Sequence, residues 1–85
     1  MGKFISAHEH FEPEIFAHNL RVRRESLGMT REQLAAVAGV GYRSVITYET
    51  GEHLPKIDAA CWMAKALGVS LDQLCGAQRK EQKAR

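Results

Sequence analysis

The stretch TREQLAAVAGVGYRSVITYETG, residues 30–51, predicts two short helices joined by a tight turn. Its first four residues form a capping-box pattern, in which the side chains of Thr30 and Gln33 satisfy free backbone N–H groups at a helix start. Gly39 predicts the end of this helix, because glycine readily adopts the left-handed conformation that closes many helices. The second helix of this pair, which is the third helix of the chain, is predicted from about Tyr42 to Thr50, so very little chain is left for the turn.

The residue types in this stretch fit two helices that cross closely, as they do in a helix-turn-helix unit. Ala35 is small where the second helix must cross the first, and Val45 and Tyr48 can hold the second helix against a core. The opposite face of this third helix of the chain carries hydrogen-bond donors, acceptors and one apolar side chain: Tyr42, Arg43, Ile46, Thr47 and Thr50. A face of this kind suits the major groove of DNA.

A first helix is predicted before this pair, and residues 1–12 are predicted to form an extended or flexible arm. Proline is favoured at a first helical position, so the helix should begin at Pro13, and Gly28 should close it. The apolar residues at spacings of four and seven predict its buried stripe: Phe16, Leu20 and Leu27.

Two further helices are predicted after the Leu54–Pro55 linker. The fourth helix should bury one continuous face, made of Ile57, Ala60, Cys61, Ala64 and Leu67. A second capping box, Ser70 to Gln73, begins a short fifth helix, and residues 77–85 are predicted to be a charged tail. No strand pattern occurs, so the sequence predicts an all-α domain of five helices over residues 13–76.

Composition limits the possible functions. A chain of 85 residues is one small domain, and 45% hydrophobic with 26% charged residues is ordinary for a soluble globular protein. The net charge of +2 does not by itself indicate a nucleic-acid partner. No apolar run approaches the roughly 20 residues that a membrane span needs, and we expect no secretory signal.

The reactive residues predict neither a metal site nor an enzyme. Cys61 and Cys75 lack the paired short spacings of a zinc site, and we expect reduced thiols in a cytoplasmic protein. The sequence has no nucleophile with a base and an orienting group, no phosphate-binding loop and no metal-ligand cluster. We therefore predict no cofactor, no metal and no catalytic activity.

Taken together, the motifs of residues 16–75 resemble the Cro/C1-type helix-turn-helix family, also known as XRE or lambda-repressor-like. The matching elements are Arg24 four residues before Gly28, Thr30 with Gln33, Leu34-Ala35, Gly39-Val40, Tyr48-Glu49, Gly51, Pro55 and AKALGVS at 64–70. The resemblance implies a compact five-helix domain, usually dimeric, that binds operator DNA and represses transcription. It also implies an ion pair between Arg24 and Glu49.

Two residues depart from the family pattern, and both lie at the start of the third helix. Gly41 stands where the family usually has serine or another capping residue, so the helix begins with a weaker cap and the backbone can approach a phosphate more closely. Tyr42 stands where a shorter polar residue is common, and it can stack on the sugar-phosphate backbone or reach a base. These departures leave the operator sequence undetermined.

The candidate DNA-binding residues fall into two groups. Base contacts are predicted from the outward face of the third helix: Tyr42, Arg43, Ile46, Thr47 and Thr50. Phosphate contacts are predicted near the starts of the second and third helices: Arg31, Gln33, Gly41 and Ser44. Two alternatives stay open, since Ile46 can instead pack against the second helix and Arg43 can be a solvated surface charge.

The sequence therefore predicts a double-stranded DNA-binding repressor of phage, prophage or small-operon type. It should act as a homodimer in the cytoplasm, at bacterial or phage DNA, without a membrane or small-molecule ligand. The alternative is an antitoxin or other protein-interaction module whose DNA binding is secondary. The dimer contact is predicted at the fifth helix and the adjoining end of the fourth, where Trp62 lies off the buried stripe; Trp62 can instead close the core against the N-terminal arm.

Overall fold

The computed structural model describes residues 12–76, and these residues form five helices without a strand. The helices are α1 (Pro13–Ser26), α2 (Arg31–Ala38), α3 (Tyr42–Thr50), α4 (Ile57–Leu67) and α5 (Leu71–Cys75). The predicted all-α, five-helix fold is thus confirmed. The arm predicted for residues 1–12 lies outside the described residues except for Glu12, and so does the tail predicted for 77–85.

Every helix contributes to one apolar core. Its fully buried members are Leu20, Leu34, Val45, Met63, Leu67 and Leu74. The helix α2 packs against both α3 and α4, while α1 packs against both α3 and α5. The core therefore holds α3 between α1 and α2 and leaves part of its surface accessible.

The helix ends follow from local sequence, as predicted. Both capping boxes are present: the backbone N–H groups of Gln33 and Gln73 donate to the side-chain oxygens of Thr30 and Ser70, each at 3.0 Å. The two glutamine side chains return the contact by accepting from the cap backbone at 2.8 Å. Gly39 closes α2 at φ +75°, a conformation that costs other residues more.

Burial differs from the prediction at two helix ends. Leu27 is exposed because it lies just beyond the last residue of α1, and the stripe of Phe16 and Leu20 continues instead to the buried Arg24. Ile57 is 69% exposed because it occupies the first turn of α4, ahead of the part that other helices cover.

The buried face of α4 is also different from the predicted one. It consists of Ala59, Ala60, Met63, Ala64 and Leu67, so Met63 belongs to the core although the prediction left it out. Cys61 is only half-buried, as is Cys75, and both are free thiols. The error at α4 amounts to a small rotation of the helix face.

Two polar side chains of α1 hold the ends of α4 and α5. Arg23 donates from Nε to the carbonyl oxygen of Leu67 at 2.9 Å. Asn19 donates from Nδ2 to the carbonyl oxygens of Leu74 at 3.0 Å and Gln73 at 3.3 Å. Carbonyls in the last turn of a helix have no partner within that helix, so these bonds satisfy them and fix both helix ends on α1.

Candidate DNA interface

The turn between α2 and α3 is short and closed by hydrogen bonds. The backbone N–H groups of Gly39 and Val40 both donate to the carbonyl oxygen of Ala35, at 2.9 and 3.0 Å. One residue later, Gly41 serves as the N-terminal cap of α3, and its carbonyl accepts from Val45 at 3.1 Å. Residues 39–41 thus change the direction of the chain within three residues and place α3 against α2.

The inner side of α3 is anchored to the scaffold. Val45 is fully buried, Glu49 is 4% exposed, and Tyr48 packs partly buried against the core. Tyr48 and Glu49 lie three and four positions after Val45, so all three share one side of the helix. The other side of α3 is left accessible.

The five predicted base-contacting residues all retain accessible surface on α3. Tyr42, Arg43 and Thr50 are exposed, while Ile46 and Thr47 are half-buried. Half-burial of Ile46 leaves part of its side chain available and part of it packed, so both predicted uses of this residue stay open. Arg43 lies in the first turn of α3, where recognition helices place base-contacting residues.

Two hydroxyls on this face are already used as donors. Thr47 Oγ1 donates to the carbonyl of Ser44 at 3.0 Å, and Thr50 Oγ1 donates to the carbonyl of Thr47 at 3.1 Å. A hydroxyl that donates within its helix still has free lone pairs. Thr50 Oγ1 also accepts from the backbone N–H of Glu52 at 3.4 Å. In this conformation the face presents an acceptor at Thr47 and donors at Arg43.

The four predicted phosphate-contacting residues differ in what they can offer. Gln33 uses its amide oxygen in the capping box, so its NH₂ group is the part that can reach a phosphate. Gly41 is exposed and provides no side-chain cap, which leaves the backbone N–H groups of the first turn of α3 open to a ligand. Ser44 is half-buried beside it, 3.6 Å from the position of a Cβ on Gly41.

Glu49 joins three helices through its carboxylate. It accepts two hydrogen bonds from Arg24, from Nε at 2.6 Å and from Nη2 at 3.0 Å. A third comes from Nε of Arg31 at 3.1 Å. Arg24 also donates from Nη1 to the carbonyl of Met29 at 2.8 Å, so the loop before α2 is tied to the same cluster.

The Arg24–Glu49 ion pair that the resemblance implied is therefore present, and it is buried. The hydrogen bonding of Arg24 to the Glu49 carboxylate raises the pKa of Arg24, against the effect of burial, so the guanidinium stays charged. The contact between Arg31 and Glu49 was missing from the sequence-based prediction. The two residues are 18 positions apart on different helices, and no local pattern indicates that they meet.

A shallow depression beside α3 adds two basic residues that the prediction left out of the site. His53 and Lys56, both exposed, line it together with Ser44 and Thr47. Asp58 lines it as well, so the depression carries both signs of charge. The signal available in the sequence was the position of His53 and Lys56 in the loop that directly follows α3.

The described residues 12–76 contain no group of three or more metal-ligating side chains, and none of their helices has the length and hydropathy to cross a bilayer. What they hold is a helix pair joined by a tight turn, with an accessible polar face on the second helix. A helix-turn-helix family model matches residues 20–74. The chain belongs to this family, and it is of the Cro/C1 type, whose relatives are named as transcriptional regulators and repressors.

Two curated relatives support this assignment. The chain is 37% identical over 54 residues to the cryptic phage CTXphi transcriptional repressor RstR of Vibrio cholerae, a match that covers 64% of this chain but only 48% of RstR. It is 31% identical over 62 residues to y4mF, an uncharacterized HTH-type transcriptional regulator of Sinorhizobium fredii, with coverage of 73% and 82%.

A solved structure supports the same family assignment. The restriction-modification controller protein C.AhdI of Aeromonas hydrophila is similar at a TM-score of 0.70 and 26% sequence identity. The similarity covers 73% of this chain and 94% of that protein. The five-helix arrangement is therefore shared with a controller protein over nearly its whole length.

Proposed function

We propose that this protein is a sequence-specific, double-stranded DNA-binding repressor that places α3 in the major groove and has no catalytic activity. The observation that carries the proposal is the two-sided character of α3. Val45 and Glu49 fix one side in the scaffold, and Tyr42, Arg43 and Thr50 remain exposed on the other. A rigidly held helix with an accessible polar face is what base-edge recognition requires.

The roles of the site residues follow from their positions. Tyr42, Arg43, Ile46, Thr47 and Thr50 would contact base edges and so carry the sequence preference. Arg31, Gln33, Gly41 and Ser44 lie near the starts of α2 and α3 and would contact phosphates, which fix register without reading sequence. Repression is supported by RstR, a phage repressor by name, and the proposed place of action is bacterial or phage DNA in the cytoplasm.

A homodimer is the second part of the proposal, because one helix-turn-helix unit covers too little DNA for a tight and specific complex. The surface that best supports dimerisation is an apolar groove between α5 and the start of α4. It is lined by Phe16, Leu54, Pro55, Ile57, Ala60, Leu71 and Cys75. Burial, with a smaller contribution from Asp72, raises the pKa of the Cys75 thiol, which keeps this groove uncharged.

In this proposal a second copy of this chain occupies the groove. Leu54 and Ile57 are exposed at 47% and 69%, which is unusual for two large apolar side chains beside one groove. The groove includes α5, which the sequence already indicated as a dimer contact, and it shifts the expected contact on α4 to the beginning of the helix. Trp62, 47% exposed, lies further along α4 and offers the alternative contact.

Replacing Ile57 by glutamate is expected to convert the dimer to a monomer at micromolar concentration, because two carboxylates would be buried in an apolar contact. The substitution should hardly change the stability of the isolated subunit, since Ile57 is mostly exposed, whereas loss of the partner lowers the apparent melting temperature. Sedimentation velocity measures the mass directly. Val22→Glu on the exposed side of α1 is the matched control and should remain dimeric.

If Ile57→Glu sediments like the parent while Trp62→Ser dissociates, the interface lies along the outer face of α4 instead. A parent protein that is monomeric at high concentration and also on DNA would contradict the dimer as a whole.

Sequence selection from a random duplex pool tests the proposed function. The expected product is a palindromic site with half-sites about 34 Å apart, or one helical turn, which reflects the two-fold symmetry of the dimer. The absence of any enriched sequence would contradict specific recognition. Enrichment of a single half-site without symmetry would contradict only the dimer.

A further inference from the structure

Arg31 is held by one nitrogen and leaves two others available. Its Nε donates to Oε1 of Glu49 at 3.1 Å, and within residues 12–76 its Nη1 and Nη2 make no hydrogen bond. The side chain of Arg31 is 41% exposed, whereas that of Glu49 is 1% exposed. The guanidinium is thus fixed at its inner end and open to solvent at its outer end.

The cluster of Arg24, Arg31 and Glu49 carries more positive than negative charge, and the excess lies at Arg31. One carboxylate, Glu49, faces two guanidinium groups, and Arg24 takes both of its oxygens in a buried bidentate contact. The exposed Glu25 approaches Arg24, at 3.7 Å, rather than Arg31. Of the two guanidinium groups, that of Arg31 is the accessible one, through its outer end.

We propose that Glu49 is a positioning residue for DNA-backbone binding: it holds Arg31 through Nε so that Nη1 and Nη2 form a fixed fork for one phosphodiester. This inference rests on the proposed DNA-binding function and deepens it. A free arginine loses much rotamer freedom when it binds a phosphate, and a side chain already held in place loses less. Arginine can serve both groups at once because its donors form a planar fork.

The same carboxylate therefore links two properties of the domain. It ties α3, on which Glu49 lies, to α1 through Arg24, and it ties the phosphate ligand of α2 to that same point on α3. A phosphate held by Arg31 would thus be placed in a fixed relation to the helix that enters the groove.

A double-mutant cycle of Arg31→Ala and Glu49→Gln tests the proposal. A glutamine carries no negative charge and has one acceptor oxygen, and its NH₂ group would face an arginine N–H, so the hold on Arg31 should be weakened. Affinity for a fluorescent duplex of random sequence is measured by anisotropy at a temperature where circular dichroism shows all four proteins folded. We expect Glu49→Gln to weaken binding about threefold to tenfold per bound protomer, and hardly at all when Arg31 is already alanine.

A purely structural role for Glu49 gives a different result. Tilting of α3 does not depend on Arg31, so the loss would then be equal in both backgrounds, and this outcome would overturn the inference alone. Tighter binding by Glu49→Gln would also overturn it, since the carboxylate would then be withholding Arg31 from the phosphate. Failure of the parent protein to bind any duplex would overturn the proposed function and this inference with it.

Arg31→Lys is a second test that leaves the buried carboxylate intact, and it decides the matter if Glu49→Gln does not fold. Lysine keeps the charge, but its single ammonium cannot hold Glu49 and a phosphate in the geometry of a fork. We expect Arg31→Lys to lose several-fold in affinity, whereas the control Arg21→Lys on α1 should bind like the parent. Parent-like binding by Arg31→Lys would show that Arg31 acts as a point charge and would overturn the inference.

Discussion

The Glu49→Ala variant is expected to lose about 3–5 kcal/mol of unfolding free energy, because the change leaves Arg24 charged and buried without its partner. Small domains are stable by only about 5–15 kcal/mol, so much of the folded state would be lost. Urea denaturation followed by circular dichroism measures the difference. The expected loss is larger than that from most surface substitutions because the carboxylate accepts three hydrogen bonds.

Glu52→Ala provides the matched control. Glu52 lies three residues further along the chain and is exposed, so its removal should change the unfolding free energy by no more than about 0.5 kcal/mol. If Glu49→Ala and Glu52→Ala unfold at the same urea concentration, the buried pair contributes nothing to stability.

Arg43→Ala is expected to cost about 1–3 kcal/mol of operator affinity per half-site and to relax the preference at one base pair in each half-site. Arg43 is exposed in the first turn of α3, and in the proposed complex it would reach a guanine edge, the commonest specific contact of arginine. Fluorescence anisotropy with the matched operator and with single-mismatch duplexes measures both effects.

Arg31→Ala is the comparison that separates recognition of base edges from contact with phosphates. It should weaken operator and non-operator DNA about equally and make the salt dependence shallower by about one unit per protomer. A uniform loss across all duplexes on replacing Arg43 would contradict its base-reading role. Tyr42 and Thr47 would then become the leading readers.

The ends of the helices could be predicted from the sequence because capping is local. Thr30 with Gln33 and Ser70 with Gln73 lie three residues apart, and their hydrogen bonds involve only those residues. Burial was predicted less well because it depends on what covers a residue. Leu27 and Ile57 have apolar side chains at plausible spacings, yet no other helix covers the ends at which they lie.

The candidate site, too, was predicted where the signal is local and missed where it depends on contacts between helices. The outward face of α3 follows from helical spacing once Val45 is placed in the core, and all five predicted residues are accessible. Their contacts with DNA stay predictions. The Arg24–Glu49 pair was available only through a family resemblance, and the Arg31–Glu49 contact was not available at all, since it arises where three separate helices meet.

The hydrogen bonds from Asn19 and Arg23 to the ends of α5 and α4 bear on which spacing between two half-sites the proposed dimer would accept. The helix that makes these bonds, α1, also packs against α3. In the proposed dimer, a rigid path would therefore lead from the groove between the subunits to each recognition helix. Inserting one base pair between the half-sites rotates one of them by about a tenth of a turn relative to the other. Without a hinge to absorb that rotation, the second subunit would lose its half-site, and operator spacing would be as strict a requirement as operator sequence.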